Sequence, residues 1–211
     1  GNKAGPFFDV ATDKQVIHFA RALGTSQWAF TLQRKHKDFK AGITVAHADL
    51  PAGFTLAVKQ DKDKYNLTLT GPKDLPLGRQ ALKLLCYGEM GRGQTVVHTL
   101  PVEVIDPVAV SLTPAGAVAA GKTQKVKITA VRKGTDPQPI TVKFTKLPAG
   151  VTAAAEFTIP ADKNEIEVEL TAAGDAAAGK FDQLTVEAAS KYSGQDIKAV
   201  SAPASIEVTK G

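Results

Sequence analysis

The same phrase occurs at residues 43–55 and at residues 140–152, and this duplication constrains the fold more than any other feature of the sequence. Ile43-Thr44-Val45 returns as Ile140-Thr141-Val142, and Leu50-Pro51-Ala52-Gly53 returns as Leu147-Pro148-Ala149-Gly150, at one constant offset of 97 residues. A module of about 100 residues has to bury a hydrophobic core of its own. The chain is therefore predicted to contain two copies of one domain.

The match extends on both sides of the phrase. Arg34-Lys35 corresponds to Arg132-Lys133, and Val102-Glu103-Val104 corresponds to Ile206-Glu207-Val208. The offset grows to 104 residues along the chain. We expect the insertions to lie in turns, because a slip of one residue within a strand would turn its core face outward.

Strand signals dominate the sequence. Charged or polar side chains alternate with apolar ones in residues 125–130 and 165–170, and Trp28, Phe30 and Leu32 alternate with small or polar residues. This period of two predicts strands with one buried face, punctuated by glycine-containing turns. Many short strands without a long helical period predict an all-β chain of antiparallel sandwiches. The alanine-rich residues 171–179 contain two glycines and are predicted to form a loop between sheets.

The predicted boundary between the copies lies at residues 105 and 106, which gives domains 1–105 and 106–211. No Gly/Ser run separates them, so the last strand of the first copy passes almost directly through Asp106-Pro107 into the second copy. Residues 1–15 have two interpretations, because Pro6-Phe7-Phe8-Asp9-Val10 resembles the end of a module: a leading strand from a preceding repeat, or an ordinary first strand. Since the chain starts at Gly1 and has Met90 as its one methionine, we expect a piece of a longer protein.

A family resemblance covers residues 108–208. The pattern that carries it comprises Val126–Arg132, Ile140–Val142, Leu147–Val151, Phe157–Ala161 and Leu170–Ala172. It resembles the tandem bacterial immunoglobulin-like modules of large exported proteins, including the group associated with glycosidases and called NEW3. The first copy keeps the Leu-Pro-Ala-Gly turn but has Val58-Lys59-Gln60 near the position of the Ile-Pro-Ala step. The resemblance implies two tandem antiparallel immunoglobulin-like β-sandwiches and no catalytic residue.

Charge is divided unevenly between the copies. Residues 1–105 carry 14 Lys/Arg and 9 Asp/Glu, whereas residues 106–211 carry 12 of each. The lysines of the first copy are interleaved with aspartates and lack a nucleic-acid-binding signature, so a solvated mixed-charge face is predicted and no nucleic-acid partner. No apolar run approaches the ~20 residues of a membrane span, so membrane insertion is not expected.

The polar residues form no recognisable catalytic motif. Ser26, His47 and Asp49 are suitable types for a catalytic triad, but the sequence has no Gly-x-Ser-x-Gly elbow and no phosphate loop. Glu165, Glu167 and Glu169 occupy alternate positions of one predicted strand, which is typical of a solvated face rather than of a glycosidase acid pair. We expect no catalytic residues and no enzyme activity.

Metal and cofactor sites are not predicted either. The four histidines, all in the first copy, lack the short spacing of a zinc site and do not recur in the second; they are His18, His36, His47 and His98. Asp61-Lys62-Asp63 lacks the ligand pattern of a calcium loop and is predicted to be a hairpin tip.

Two further features bear on surface and core. Cys86 alternates with Leu82 and Leu84, so it is predicted to be a buried, unreactive thiol. Nine of the aromatic residues lie in the first copy, where Trp28 and Phe30 are predicted to be core. Three further aromatic residues lie beside turns: Phe39, Tyr65 and Tyr87. If their rings project from one face, they could stack on sugars.

The sequence thus favours a non-enzymatic structural spacer or interaction segment of an exported multidomain bacterial protein. The alternative is a carbohydrate-binding accessory module beside a hydrolase. Under the first hypothesis the location is extracellular, at the cell surface or periplasmic. The partners are then other domains of the same chain, and protein or polysaccharide at the cell surface, with the chain itself a monomer.

Overall fold

The computed structural model describes residues 5–211 and consists of two compact units. The division falls between Asp106 and Pro107. The Asp106 carboxylate accepts hydrogen bonds from Arg21 of the first unit, at 2.8 and 2.9 Å. The described part of the chain contains no helix of the length and apolarity needed to cross a membrane.

The first unit is a sandwich of two four-stranded sheets. One sheet has the order β1-β3-β6-β5 and the other has the order β2-β8-β7-β4. The strands are β1 (Phe8–Ala11), β2 (Ile17–Ala20), β3 (Thr25–Arg34), β4 (Thr44–His47), β5 (Thr55–Asp61), β6 (Lys64–Thr70), β7 (Gly78–Glu89) and β8 (Gly93–Ile105).

The second unit repeats this plan. One sheet has the order β13-β15-β11-β9; the other has the order β10-β18-β16-β12-β14, with β17 also paired to β16. The strands are β9 (Val108–Pro114), β10 (Val118–Ala119), β11 (Thr123–Arg132), β12 (Ile140–Lys146), β13 (Val151–Thr152), β14 (Phe157–Ile159), β15 (Glu165–Ala172), β16 (Gly179–Tyr192), β17 (Gln195–Val200) and β18 (Ala204–Thr209).

This strand order is that of an immunoglobulin-like sandwich, which confirms the predicted fold class. Pairing is antiparallel except at two places: β2 runs parallel to β8, and β10 runs parallel to β18. The parallel pairs arise because the first strand of each unit is interrupted and its continuation joins the opposite sheet without reversing direction. The predicted sandwiches are therefore correct, but the sheets are not wholly antiparallel.

The residues at the start of the chain belong to the first unit. β1 pairs antiparallel with β3, with Phe8 opposite Arg34. Phe7 and Phe8 are buried in the first core. β1 therefore packs as part of the first unit; residues 1–4 of the proposed leading strand lie outside the described residues, and both interpretations of residues 1–15 stay predictions.

The repeated Leu-Pro-Ala-Gly phrase forms the same turn in both units. The amide of Phe54 donates to the Pro51 carbonyl, and the amide of Val151 donates to the Pro148 carbonyl, each at 3.1 Å. The turn glycines have positive φ, 88° at Gly53 and 77° at Gly150. A side chain at either position would be strained, which explains why glycine recurs there.

The units diverge just after this turn. In the first unit β5 pairs with β6 over its full length and stays at the sheet edge, where Val58 is 37% exposed. In the second unit β13 is short and the chain crosses to the other sheet, where β14 pairs with β12 and buries Ile159. This is the position at which the sequence shows Ile159-Pro160-Ala161 in one copy and Val58-Lys59-Gln60 in the other.

Candidate functional site

The predicted catalytic candidates do not come together. Ser26 lies on β3 and donates a hydrogen bond to the His18 carbonyl at 3.2 Å, whereas His47 lies on β4 in the opposite sheet. Glu165 and Glu167 are exposed and pair with Lys127 and Lys125 across the strands, at 3.7 and 3.6 Å. The predicted solvated face of β15 is therefore confirmed.

The metal candidates are equally dispersed. Within residues 5–211 no three side chains of His, Cys, Asp or Glu converge to hold an ion. Residues 61–63 form the β5–β6 connection, with Lys62 at φ 56°, as the predicted hairpin tip requires. His98 points into the first unit against Phe30, 6.0 Å between ring centroids, and desolvation lowers the pKa of this imidazole.

Cys86 is fully buried in the first core, as predicted. Burial raises the pKa of its thiol to about 11, with a smaller contribution from the negative charge of Asp9. Since the thiolate is the reactive form, this thiol is unreactive at neutral pH.

The hypothesis of an exposed aromatic face is wrong for two of its three residues. Tyr65 is 1% exposed, stacks on Phe30 at 5.3 Å and accepts a hydrogen bond from the Ile43 amide at 2.9 Å. Phe39 is also 1% exposed. The sequence position of Tyr65 and Phe39 beside turns did not show that their rings are buried. Both rings fill the end of the sandwich, where loops fold over the core.

Tyr87 is the exposed member, at 41%. Its hydroxyl donates to Glu89 at 2.7 Å, and this bond is the main reason why the pKa of Tyr87 is raised. The ring lies over Gly93 on the paired strand; a methyl group there would approach its Cε2 and Cζ atoms to 2.8 and 2.9 Å. Covering a glycine with a cross-strand aromatic is a device that stabilises sheets.

Phe39 is the centre of an aromatic plug in the first unit. It packs against Phe7 at 5.0 Å and against Phe8 at 5.6 Å, and the Arg34 guanidinium lies 5.1 Å from its ring centroid. Arg34 also donates to the Phe39 and Ala41 carbonyls, at 2.9 and 2.7 Å, and pairs with Asp63 at 2.9 Å. The loop after β3 is thus sealed onto the core.

The corresponding end of the second unit holds a cavity of about 340 Å³. Arg132 organises it, as Arg34 organises the end of the first unit. Its Nη2 donates to the Gln138 and Pro160 carbonyls at 3.0 Å each, and its Nη1 donates to Asn164 Oδ1 at 3.1 Å and to the Lys163 carbonyl. These bonds tie the loop after β11 to the loop before β15; desolvation lowers the pKa of Arg132, and Asp162 opposes the shift.

Polar and apolar groups share the lining of this cavity. Ser190 donates to the Pro139 carbonyl at 2.8 Å, and Tyr192 packs against Gly134, where a methyl group would approach its Cε2 and Cζ atoms to 2.8 and 2.9 Å. Asp162 and Gln138 line the opposite loops. The lining carries three cationic and two anionic side chains: Arg132, Lys133, Lys191, Asp136 and Asp162.

Sequence reasoning missed this site, although the repeat contained a signal for it. Arg34 and Arg132 are repeated at the ends of β3 and β11, and Asp63 and Asn164 supply their partners. An arginine that recurs in two copies and can bond several carbonyls indicates a structured loop end. The repeat could not show that side chains fill this end of the first unit while the corresponding end of the second unit is open.

No protein-family model matches the chain, and no curated protein matches its sequence. Similar solved structures include the adhesin InvE of Yersinia pseudotuberculosis, at 18% identity and a TM-score of 0.32 over 94% of this chain and 58% of that one. Domains 4 and 5 of the S-layer protein SbsC are similar at 16% identity and a TM-score of 0.36, over 96% and 97%.

Extracellular cadherin domains 1–4 of protocadherin gamma B7 are similar at 14% identity and a TM-score of 0.39, over 97% of this chain and 51% of that one. The chain thus spans about half the length of the adhesin and protocadherin structures. At this level of similarity no function is transferred. The immunoglobulin-like fold rests on the strand order, and the finer resemblance to NEW3 modules stays a prediction.

Proposed function

We propose that the chain is a non-enzymatic structural and interaction segment of an exported multidomain bacterial protein, in which two NEW3-like immunoglobulin modules act as spacer and contact surface. The observation that carries the proposal is the connection between the units. Asp106 is bonded to Arg21 in the first unit, and the Pro107 carbonyl accepts from the Lys133 amide at 3.0 Å in the second. Each connecting residue is therefore fixed within its own unit, which suits a spacer.

The state of the thiol is compatible with the proposed extracellular or periplasmic location. Cys86 is buried with a raised pKa, so neither unit presents a reactive thiol to an oxidising medium. Each unit instead closes its own hydrophobic core without a disulfide. Such modules tolerate export without needing oxidative folding.

Two experiments test this proposal: antibody labelling of intact cells, and replacement of the segment in the parent protein. In cells of the source organism, an antibody raised against the chain should label intact cells, and protease added outside should remove the label. Replacing the segment by an unrelated immunoglobulin-like pair of equal length should preserve assembly of the parent protein if the segment is a spacer. The proposal would be contradicted if the antibody detected the chain only after cell lysis and only in the cytosolic fraction.

A carbohydrate-binding accessory module beside a hydrolase is the second candidate function. The buried positions of Phe39 and Tyr65 remove the aromatic face first considered for it. The polar cavity of the second unit is the observation that now favours this candidate, since saccharide sites combine amide, hydroxyl and carboxylate groups with an aromatic ring.

A further inference from the structure

We infer that the cavity at the end of the second unit is a saccharide-binding site, and that the equivalent site in the first unit is closed by phenylalanines. The inference deepens the second candidate function and rests on it. It depends on matching the two units position by position, which strand register and backbone hydrogen bonds allow.

Strand register identifies the equivalent residues at the start of β1 and β9. Phe8 lies opposite Arg34, and Val108 lies opposite Arg132, so Phe8 and Val108 are equivalent. The preceding residues are equivalent as well, because the Phe7 carbonyl accepts from the Lys35 amide at 2.9 Å and the Pro107 carbonyl accepts from the Lys133 amide at 3.0 Å.

Strand register also shows which residues of β7 are equivalent to which residues of β16. Val45 lies opposite Cys86, and Val142 lies opposite Ala188. Counting from these pairs makes Gly88 equivalent to Ser190, and Met90 equivalent to Tyr192. Counting forward from Arg34 and Arg132 pairs Phe39 with Pro137, and counting back from Ile43 and Ile140 pairs it with Asp136; both residues line the cavity.

The substitutions between equivalent positions replace three phenylalanines of the first unit by smaller residues, whereas two neighbouring positions gain a polar side chain. In the first unit Phe7, Phe8 and Phe39 contact one another, Met90 packs on the same core, and a methyl group at Gly88 would meet Phe8 and Phe39 at 3.0 and 3.2 Å. The second unit has Pro107, Val108, Pro137, Ser190 and Tyr192 there, and all five line the cavity. Phe7, Phe8 and Phe39 are thus replaced by proline and valine, and the space that their rings fill in the first unit is open in the second. The other two changes, from Gly88 to Ser190 and from Met90 to Tyr192, add polar groups to the wall of that space.

The open site is nevertheless held in a defined shape. Arg132 bonds three carbonyls and one amide side chain from both flanking loops, and Ser190 fixes the Pro139 carbonyl. A loop end that is braced but not filled is a preorganised pocket, since little conformational freedom remains to be lost on binding. Its volume of about 340 Å³ lies at the lower end of the range of small-ligand sites.

The lining chemistry identifies the class of ligand. Among the described residues neither Asp162 nor Asp136 forms an ion pair within 4.0 Å, although Asp162 acts on Arg132 at longer range, so their oxygens can accept from vicinal hydroxyls. Gln138 supplies an amide and Tyr192 an aromatic ring. The two carboxylates disfavour a polyanion, and the charged side chains among the lining residues disfavour a lipid tail. One or two sugar residues match this combination.

The test is a titration of the full chain, followed by backbone NMR, with methyl glycosides of glucose, galactose, mannose and N-acetylglucosamine and with their β-linked disaccharides. We expect saturable shifts at residues 132–138, 161–164 and 190–192. Tyr192→Ala should weaken binding about tenfold, as expected for loss of a stacking ring. Tyr87→Ala, which removes a tyrosine placed over a glycine in the first unit, is the matched control and should bind like the parent.

The plugged variant Val108→Phe/Pro137→Phe/Ser190→Gly carries the sharpest test. It copies into the second unit two rings of the first unit together with the glycine that leaves room for them, so the unit should stay folded, as its NMR spectrum would show, and binding should be lost. Sugar binding that survives this triple substitution would overturn the site while leaving carbohydrate binding as a function. Absence of any saturable shift across the panel would overturn both, and surface labelling of cells would still decide the spacer proposal.

Discussion

Phe39→Ala distinguishes the structure from the sequence pattern, because the pattern allowed an exposed ring and the structure buries it. The ring is 1% exposed and contacts Phe7, Phe8 and the Arg34 guanidinium. Truncating a buried phenylalanine to alanine costs about 3–5 kcal/mol. Phe39 lies in a loop that can partly collapse into the space, so we expect about 3 kcal/mol, the lower end of the range.

Trp28 provides the assay. It is the single tryptophan of the chain, it is 5% exposed, and it lies in the first unit, so its fluorescence reports unfolding of that unit alone. With a urea dependence of about 1.5 kcal/mol per molar, a loss of about 3 kcal/mol lowers the midpoint by about 2 M. The calorimetric transition of the second unit should not move.

Tyr87→Ala is the control in the same unit, since its ring is 41% exposed. It should cost about 1 kcal/mol or less, most of it from uncovering Gly93. A loss below about 1 kcal/mol for Phe39→Ala, equal to that of the control, would refute the aromatic plug. It would also remove the contrast between a closed and an open loop end.

The other predictions concern single sites. Cys86→Ser should destabilise the first unit by about 1–3 kcal/mol, because the hydroxyl enters an apolar core, and the native thiol should resist labelling without denaturant. Burial lowers the pKa of His98, so the unfolded state binds the proton at higher pH than the native state does. The free energy of unfolding of the first unit should therefore fall as pH drops below about 6.5. In urea titrations at pH 7 and pH 5, His98→Gln should reduce this dependence. Gly150→Ala should cost the second unit about 1–2 kcal/mol by calorimetry, because φ is 77° and the added methyl group meets Ala176 Cβ at 3.0 Å, whereas Gly174→Ala, with open space around it, should cost less. Arg132→Met should lower the melting temperature of the second unit and broaden the NMR signals of residues 133–139, because it removes the bonds that brace both loops; unchanged signals would contradict that role.

The sequence by itself determined the features that depend on local periodicity and on repetition. Alternation in residues 125–130 and 165–170 identified the buried faces of β11 and β15, because successive side chains of a strand point to opposite sides. The recurring Gly53 and Gly150 identified a turn that needs positive φ. Cys86 could be placed inside for the same reason as its neighbours Leu82 and Leu84.

Only the tertiary structure decided how the strands and loop ends combine. A period of two gives the face of a strand but not the sheet it joins, so it could not show that β14 crosses to β12 while β5 stays beside β6. The burial of Phe39 depends on Phe7, which lies just before β1, and on the guanidinium of Arg34. Pro107, Pro137 and Tyr192 are brought around one cavity by the closing of three separate loops, and no local pattern records contacts between residues so far apart in the chain.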